Sequence, residues 1–205
     1  MSTPETAEEL RAPELTRGAQ RIVEVASELF YQQGIHAIGV DTIARESGIT
    51  KRTLYDRFGS KDALVAVYLQ SRHQAWWERL EQRIAEASSP RVLSVFDLYG
   101  DSTWASDRGC AFLNATGELS AEHPAYRVVR AHKRALRDRL AELVGVDCPD
   151  AGDPKRLAEH LFLLLEGAIA HRGIDGDKAL LMAAREIAED LVSPAPGFPS
   201  DAGAP

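Results

Sequence analysis

Residues 48–58 read GITKRTLYDRF, and this short stretch decides the fold. Gly48-Ile49 makes a tight turn, Thr50 has an N-cap side chain, and the helix that follows runs to Phe58 and stops at Gly59. Leu54 and Phe58 stand four apart, so they share its inner face, while Lys51, Arg52, Thr53, Tyr55 and Asp56 are left outside. From Thr50 to Lys61 the cations Lys51, Arg52, Arg57 and Lys61 face a single acid, Asp56, a local charge of +3. The whole chain carries −7; residues 15–62 sum to +1, the remainder to −8. Positive charge gathered on one short helix of an acidic chain is the electrostatic footprint of a duplex-binding element.

Upstream, Val40 to Ser47 reads as a short helix with Ile43 and Ala44 inward. Before it, a helix capped by Thr16 and closed by Gly34 carries the stripe Ile22, Val25, Ala26, Leu29 and Phe30. Three short helices within 15–58, the last two joined by a glycine turn, are the arithmetic of a helix-turn-helix. Downstream, Ser60 caps a long helix, Lys61 to Ala87, with Val65, Leu69, Trp76, Leu80 and Ile84 on one ladder. Ser88-Ser89-Pro90 breaks it. The pattern then predicts helices over 92–99, 110–119, 124–144, 154–171 and 177–192, with loops at 100–108 and 145–154. No alternating strand pattern is present. The prediction is an all-α chain with a helix-turn-helix domain at 14–60 and a larger helical ligand-binding and dimerisation domain at 61–192. Residues 1–13 and 193–205 read as disordered tails.

The 205 residues are 44 % apolar and 27 % charged, which supports a globular core and excludes a disordered, collagen-like or disulfide-built chain. Two cysteines, Cys110 and Cys148, fit a reducing cytoplasm. The richest apolar run, Leu161 to Ala170, is too short to span a bilayer and contains Glu166, so no membrane partner is expected. The first ten residues show no signal-peptide pattern. No phosphate loop or nucleophile elbow points to an enzyme, and no cofactor is implied. His160 and His171 share a helical face without a third ligand, so no metal is expected. Cys110 reads as a small buried apolar residue.

The stretch 16–69 resembles the DNA-binding domain of TetR-type transcriptional regulators. The resemblance rests on LF-x-x-x-G at Leu29 to Gly34, D-x-I-A at Asp41 to Ala44, GITKRTLYDRF at Gly48 to Phe58, and SKDAL at Ser60 to Leu64, in this order near the start of a chain of this length. Further on, GCAFLNATGEL at 109–119 is similar to a segment of these regulators' second domain. The resemblance implies a homodimer whose two recognition helices enter successive major grooves of a double-stranded operator, and most often a repressor released by a small molecule. Tyr55 and Lys61 then take the family's phosphate-contacting places. Thr50, Lys51, Arg52 and Thr53 stand where base edges are read. Arg52 is the first candidate for guanine, whose O6 and N7 a guanidinium can bind together. Arg57 adds charge beside them. Ile38-Gly39 replaces the hydroxyl residue common before the family's second helix, so at most a backbone N–H is expected there. Asp56 either accepts from a cytosine amine or pairs with Arg52 one turn away.

For the second domain, Leu157, Leu161, Leu164 and Ala168 on one helix and Leu180, Ala183, Ala184, Ile187 and Leu191 on the next form two stripes. The resemblance assigns them to a four-helix dimer interface. A mostly apolar effector pocket is expected between 92–99, 110–119, 124–144 and 154–171, drawing on Trp77, Phe96, Tyr99, Phe112, Asn114, Glu118, Tyr126, Phe162 and Glu166, with Glu118 orienting an unknown small molecule. Trp77 is either half-exposed or turned to a pocket. A regulator that needs no ligand, one answering to a protein partner, and a helical enzyme are the competing readings.

Overall fold

The computed structural model describes residues 4–88, 90–101 and 108–193. The described residues contain helices and no strands. The helices are α1 (Pro4–Leu10), α2 (Arg17–Gln33), α3 (Val40–Ser47), α4 (Lys51–Phe58) and α5 (Lys61–Glu86). After a 3-10 turn at Arg91–Leu93 come α6 (Ser94–Gly100), α7 (Ala111–Glu118), α8 (Pro124–Asp147), α9 (Pro154–Asp175) and α10 (Ala179–Val192).

Helices α2 to α4 form the head. Thr16 caps α2 by accepting from the Ala19 N–H at 3.4 Å. Ile22, Ala26 and Phe30 of α2 are buried together with Ile43 of α3 and Leu54 of α4. The α3–α4 turn depends on Gly48, whose φ of +69° places it in the left-handed region. There its N–H reaches back to the carbonyl of Arg45 at 3.3 Å, and any L side chain would cost about 1–2 kcal/mol.

Ser60 opens α5, its hydroxyl accepting from the Ala63 N–H at 3.1 Å. The ladder Val65, Leu69, Trp76, Leu80 and Ile84 is buried along the helix. The body is a layered bundle in which α5 packs on α8, α8 on α9, and α9 on α10. Helix α8 outlasts its expected end at Val144 because Asp147 is recruited, its carboxylate accepting from the Val92 N–H at 2.7 Å. Helix α9 runs past His171 because Arg172 is buried against α6, donating to the Tyr99 carbonyl.

The N-terminal tail expected at 1–13 is corrected. Residues 4–10 form α1, which packs on α8 and α5. Leu10 is buried, the Gln70 amide donates to the Glu9 carbonyl at 3.0 Å, and Arg127 lies 3.8 Å from the Glu9 carboxylate. A seven-residue helix has too few turns to stand alone or to show a periodic stripe, so docking on the body stabilises it. The C-terminal tail expected at 193–205 lies, beyond Ser193, outside the described residues, as do 102–107 of the expected loop.

Candidate nucleic-acid interface

Helix α4 is anchored by one side chain and presents the rest. Leu54 is fully buried and Phe58 half-buried, while Lys51, Arg52, Tyr55, Asp56 and Arg57 are exposed, Tyr55 to 48 %. At its start the Thr50 hydroxyl accepts from the Thr53 N–H at 3.2 Å and lies 2.9 Å from the Thr53 hydroxyl. The helix N-terminus therefore faces outward with two hydroxyls and the dipole's positive end, an arrangement suited to phosphate. Lys51 pairs with Asp41 of α3. Arg52 Nε lies 3.8 Å from Asp56 Oδ2, one turn on. That geometry realises the pairing reading of Asp56. Both partners are largely exposed, so the pair is weak and leaves the guanidinium edge free to bind elsewhere. Gly39 begins α3 with no side-chain cap, which leaves backbone N–H groups where the family commonly has a hydroxyl.

Lys61 makes contacts that the sequence concealed. Its ammonium donates to the Ile35 carbonyl at 2.6 Å and stands 5.8 Å above the Phe30 ring. Burial pulls its pKa below the usual lysine range, against the opposing pull of Asp62 and Glu118. Lys61 thus ties the 34–36 loop to the first turn of α5. Contact with DNA would have to use the N–H bonds that remain.

The head is also fastened to the body at its other side. The Glu118 carboxylate, at the end of α7, accepts from the His36 N–H at 2.8 Å. It packs so close to Gly34 that a Cβ there would lie 3.1 Å from it. The Tyr31 hydroxyl donates to the Gly109 carbonyl and accepts from the Arg108 N–H, each at 3.0 Å. The Arg108 guanidinium donates to the Tyr31 carbonyl at 2.7 Å. Gly109 is required beneath this latch, because a Cβ on it would sit 2.9 Å from the Ile169 carbonyl of α9. The head therefore meets the body through α5 and, separately, through α7 and the residues just before it.

The expected effector residues do not converge on one pocket. Glu118 serves the head. Asn114 donates to the Arg108 carbonyl at 2.9 Å. Glu166 holds the Lys133 ammonium at 2.7 Å, 3.6 Å from the Cys110 sulfur. Burial lowers the Lys133 pKa, and Cys110 and Glu166 more than reverse it. Tyr126 lies under Arg130, and Phe162 under Arg137. Phe96, Tyr99 and Phe112 are buried. The Phe112 ring stacks on His132 at 3.7 Å, and Trp76 packs against Tyr99 and His132 at 5.4 Å each. Within this aromatic centre two buried polar atoms, Trp76 Nε1 and His132 Nε2, have no hydrogen-bond partner among the described residues. Trp77 is half-buried and lines a surface cleft between α1, α5 and α8. Sequence reasoning places His132 among the polar groups of this domain but gives no sign of its pairing with His73, since a lone histidine within a helical stripe carries no spacing signal.

The expected dimer stripes are corrected in part. Leu161 is 0 % exposed and Ala168 and Ala184 are buried, all within one protomer's core. Leu157, Leu164 and Ala183 are half-buried. Leu180, Ile187 and Leu191 are exposed as expected. On α9 the outer face instead holds Leu163, Gly167, Ala170 and Ile174, with Leu163 and Ile174 exposed to 66 % and 74 %. The run Leu161-Phe162-Leu163-Leu164-Leu165 is apolar on every face, so periodicity could not choose the inward one.

An exposed basic recognition helix on a three-helix head, fastened to a separate helical bundle, defines a helix-turn-helix DNA-binding regulator. The sequence pattern of the bacterial regulatory proteins of the tetR family matches residues 22–68. A TetR transcriptional regulator from Streptomyces avermitilis shares 31 % identity, with 86 % of this chain and 98 % of that one covered and a TM-score of 0.73. A TetR-family transcriptional regulator from Streptomyces coelicolor shares 27 % identity over 94 % and 96 % of the two chains, with a TM-score of 0.79. The HTH-type transcriptional regulator BetI of Rhizobium meliloti is 23 % identical over 175 residues, 84 % of this chain and 86 % of that one. The chain belongs to the TetR family of transcriptional regulators. Among the described residues no helix is long and apolar enough to cross a membrane.

Proposed function

We propose that the protein is a homodimeric, cytoplasmic repressor that binds a palindromic operator and is released by a small, mostly apolar molecule. The observation that carries this reading is the division of surfaces. Residues 14–60 present Thr50, Lys51, Arg52, Thr53, Tyr55 and Arg57 outward. On the body, α9 and α10 carry Leu163, Ile174, Leu180, Ile187 and Leu191 in the open. Apolar faces of this kind on adjacent helices suit a two-fold four-helix contact, and Gly167, Ala170 and Ala183 let the helices approach closely. Two protomers joined there set their α4 helices roughly one DNA turn apart, or a little more.

Release is a matter of differential affinity. An effector acts only by as much as it prefers the head spacing that misfits DNA. The aromatic centre is packed ring on ring, so an effector entering it must part the rings, and hydrogen bonds offered to Trp76 Nε1 and His132 Nε2 would offset about 1–3 kcal/mol each. The Glu118 and Tyr31 latches give that site a route to the head. Selection from random duplexes with the full chain tests the reading. The expected result is an enriched inverted repeat whose binding weakens steeply with salt. Failure to enrich any motif would overturn it.

A further inference from the structure

We propose that the cleft beneath α1 is a binding site for a flat aromatic carboxylate, separate from the aromatic centre of the body. The cleft is a shallow surface groove of about 500 Å³, broadly open to solvent, within the size range of small-molecule sites. Its floor is the Trp77 ring beside the His73 ring, with centroids 5.2 Å apart and planes tilted by 39°. The apolar part of the remaining wall is mostly short, Leu10 and Ala7 of α1 with Ala12 and Ala135, while Arg11, Gln74 and Glu78 supply its polar part. Short side chains facing two adjacent rings leave a slot that suits a planar ring system better than a branched chain.

Charge chooses the acid. Arg11 lines the cleft and makes no ion pair among the described residues. The lining also holds one acid, Glu78, whose carboxylate accepts from the Gln74 amide at 3.1 Å and keeps its charge, so selection of an acid rests on Arg11 itself and not on a net positive cleft. A guanidinium at the edge of an apolar slot matches a carboxylate, to which it can donate two parallel hydrogen bonds.

His73 supplies a second polar anchor. Its Nδ1 is 3.0 Å from Nδ1 of the fully buried His132, so one proton is shared between them and each ring is fixed in place. A carboxylate in the cleft would favour a proton on His73 Nε2. His73 Nδ1 then accepts, and His132 Nδ1 donates. Burial keeps both rings neutral, so this is a choice of tautomer, with no charge transferred.

The experiment is calorimetric titration of the full chain with 2-naphthoate, alongside its uncharged analogue 2-naphthylmethanol. It requires no operator, so its outcome is independent of the DNA reading. The expected result is one site per protomer, with naphthoate bound at least fivefold tighter than the alcohol. Trp77→Ala should weaken both probes tenfold or more. Arg11→Gln, an exposed change that leaves the fold intact, should weaken naphthoate about tenfold and the alcohol less than twofold. No heat at millimolar naphthoate would overturn the proposal. So would equal affinity for the two probes, or affinities that neither substitution moves.

Discussion

Ile187→Glu separates the dimer from the fold in a way that no change at Leu161 can. Ile187 is 48 % exposed in the protomer, so covering it gains roughly half of the 1.5–3 kcal/mol of a fully buried side chain, about 1 kcal/mol. Five such side chains per protomer, Leu163, Ile174, Leu180, Ile187 and Leu191, give about 10 kcal/mol across a two-fold contact, before the cost of association. A glutamate at 187 loses that contribution twice, by symmetry. It also forces two carboxylates to be desolvated against an apolar face, at a cost of a few kcal/mol more. The dimer dissociation constant should therefore rise by at least about a thousandfold, or about 4 kcal/mol. Helicity and the protomer fold should be kept. Leu161→Ala acts differently, opening a cavity in the protomer core that costs about 3–5 kcal/mol of folding stability. Sedimentation velocity over a range of concentrations reads the first effect and urea denaturation the second. An Ile187→Glu protein still dimeric at low micromolar concentration would refute the placement of the interface, as would a monomeric parent chain.

Three further outcomes follow from particular contacts. Glu118→Ala removes the acceptor of the His36 N–H and should cost about 1 kcal/mol in denaturation. It should also blunt the release of DNA by any effector, which a gel-shift titration would show; unchanged release would remove α7 from the coupling route. Gly48→Ala should lower stability by about 1–2 kcal/mol through its positive φ, and operator affinity with it, measured by thermal melting and a binding titration. For pH, burial depresses His73 from the ordinary 6.5 to about 4, and His132 moves the same way. The unfolded chain therefore takes up these protons first, so stability is complete above about pH 6.5 and is lost as pH falls toward 4, by about 3 kcal/mol for His73. Urea denaturation at stepped pH should show this slope and show it flattened in His73→Phe; an equal slope in both would contradict it.

The head was legible because its signals are local. Thr16, Thr50 and Ser60 cap helices by their own hydroxyls, and glycines end them within one turn. Leu54 has a single neighbouring stripe to bury against. The body was legible in its helices and much less in its faces. α1 gains its order from α5 and α8, which lie far along the chain. Glu118 reads as an acid in an apolar helix, yet it belongs to the head 82 positions away. Lys61 reads as a phosphate contact, yet it also braces the 34–36 loop. The outer face of α9 was hidden because leucines surround the helix, and only the packing of Leu161 and Leu165 reveals which side is left over.

The measurement closest to the central claim is a paired selection from random duplexes, one with the parent chain and one with Arg52→Ala. The parent should enrich an inverted repeat. In the variant the same repeat should survive with base preference relaxed at one position in each half-site, symmetrically, and with affinity for the parent site reduced by about 1–3 kcal/mol. Identical base preferences for the two proteins, or a parent that enriches no repeat at all, would contradict the assignment of α4 as the reading helix of a two-fold regulator.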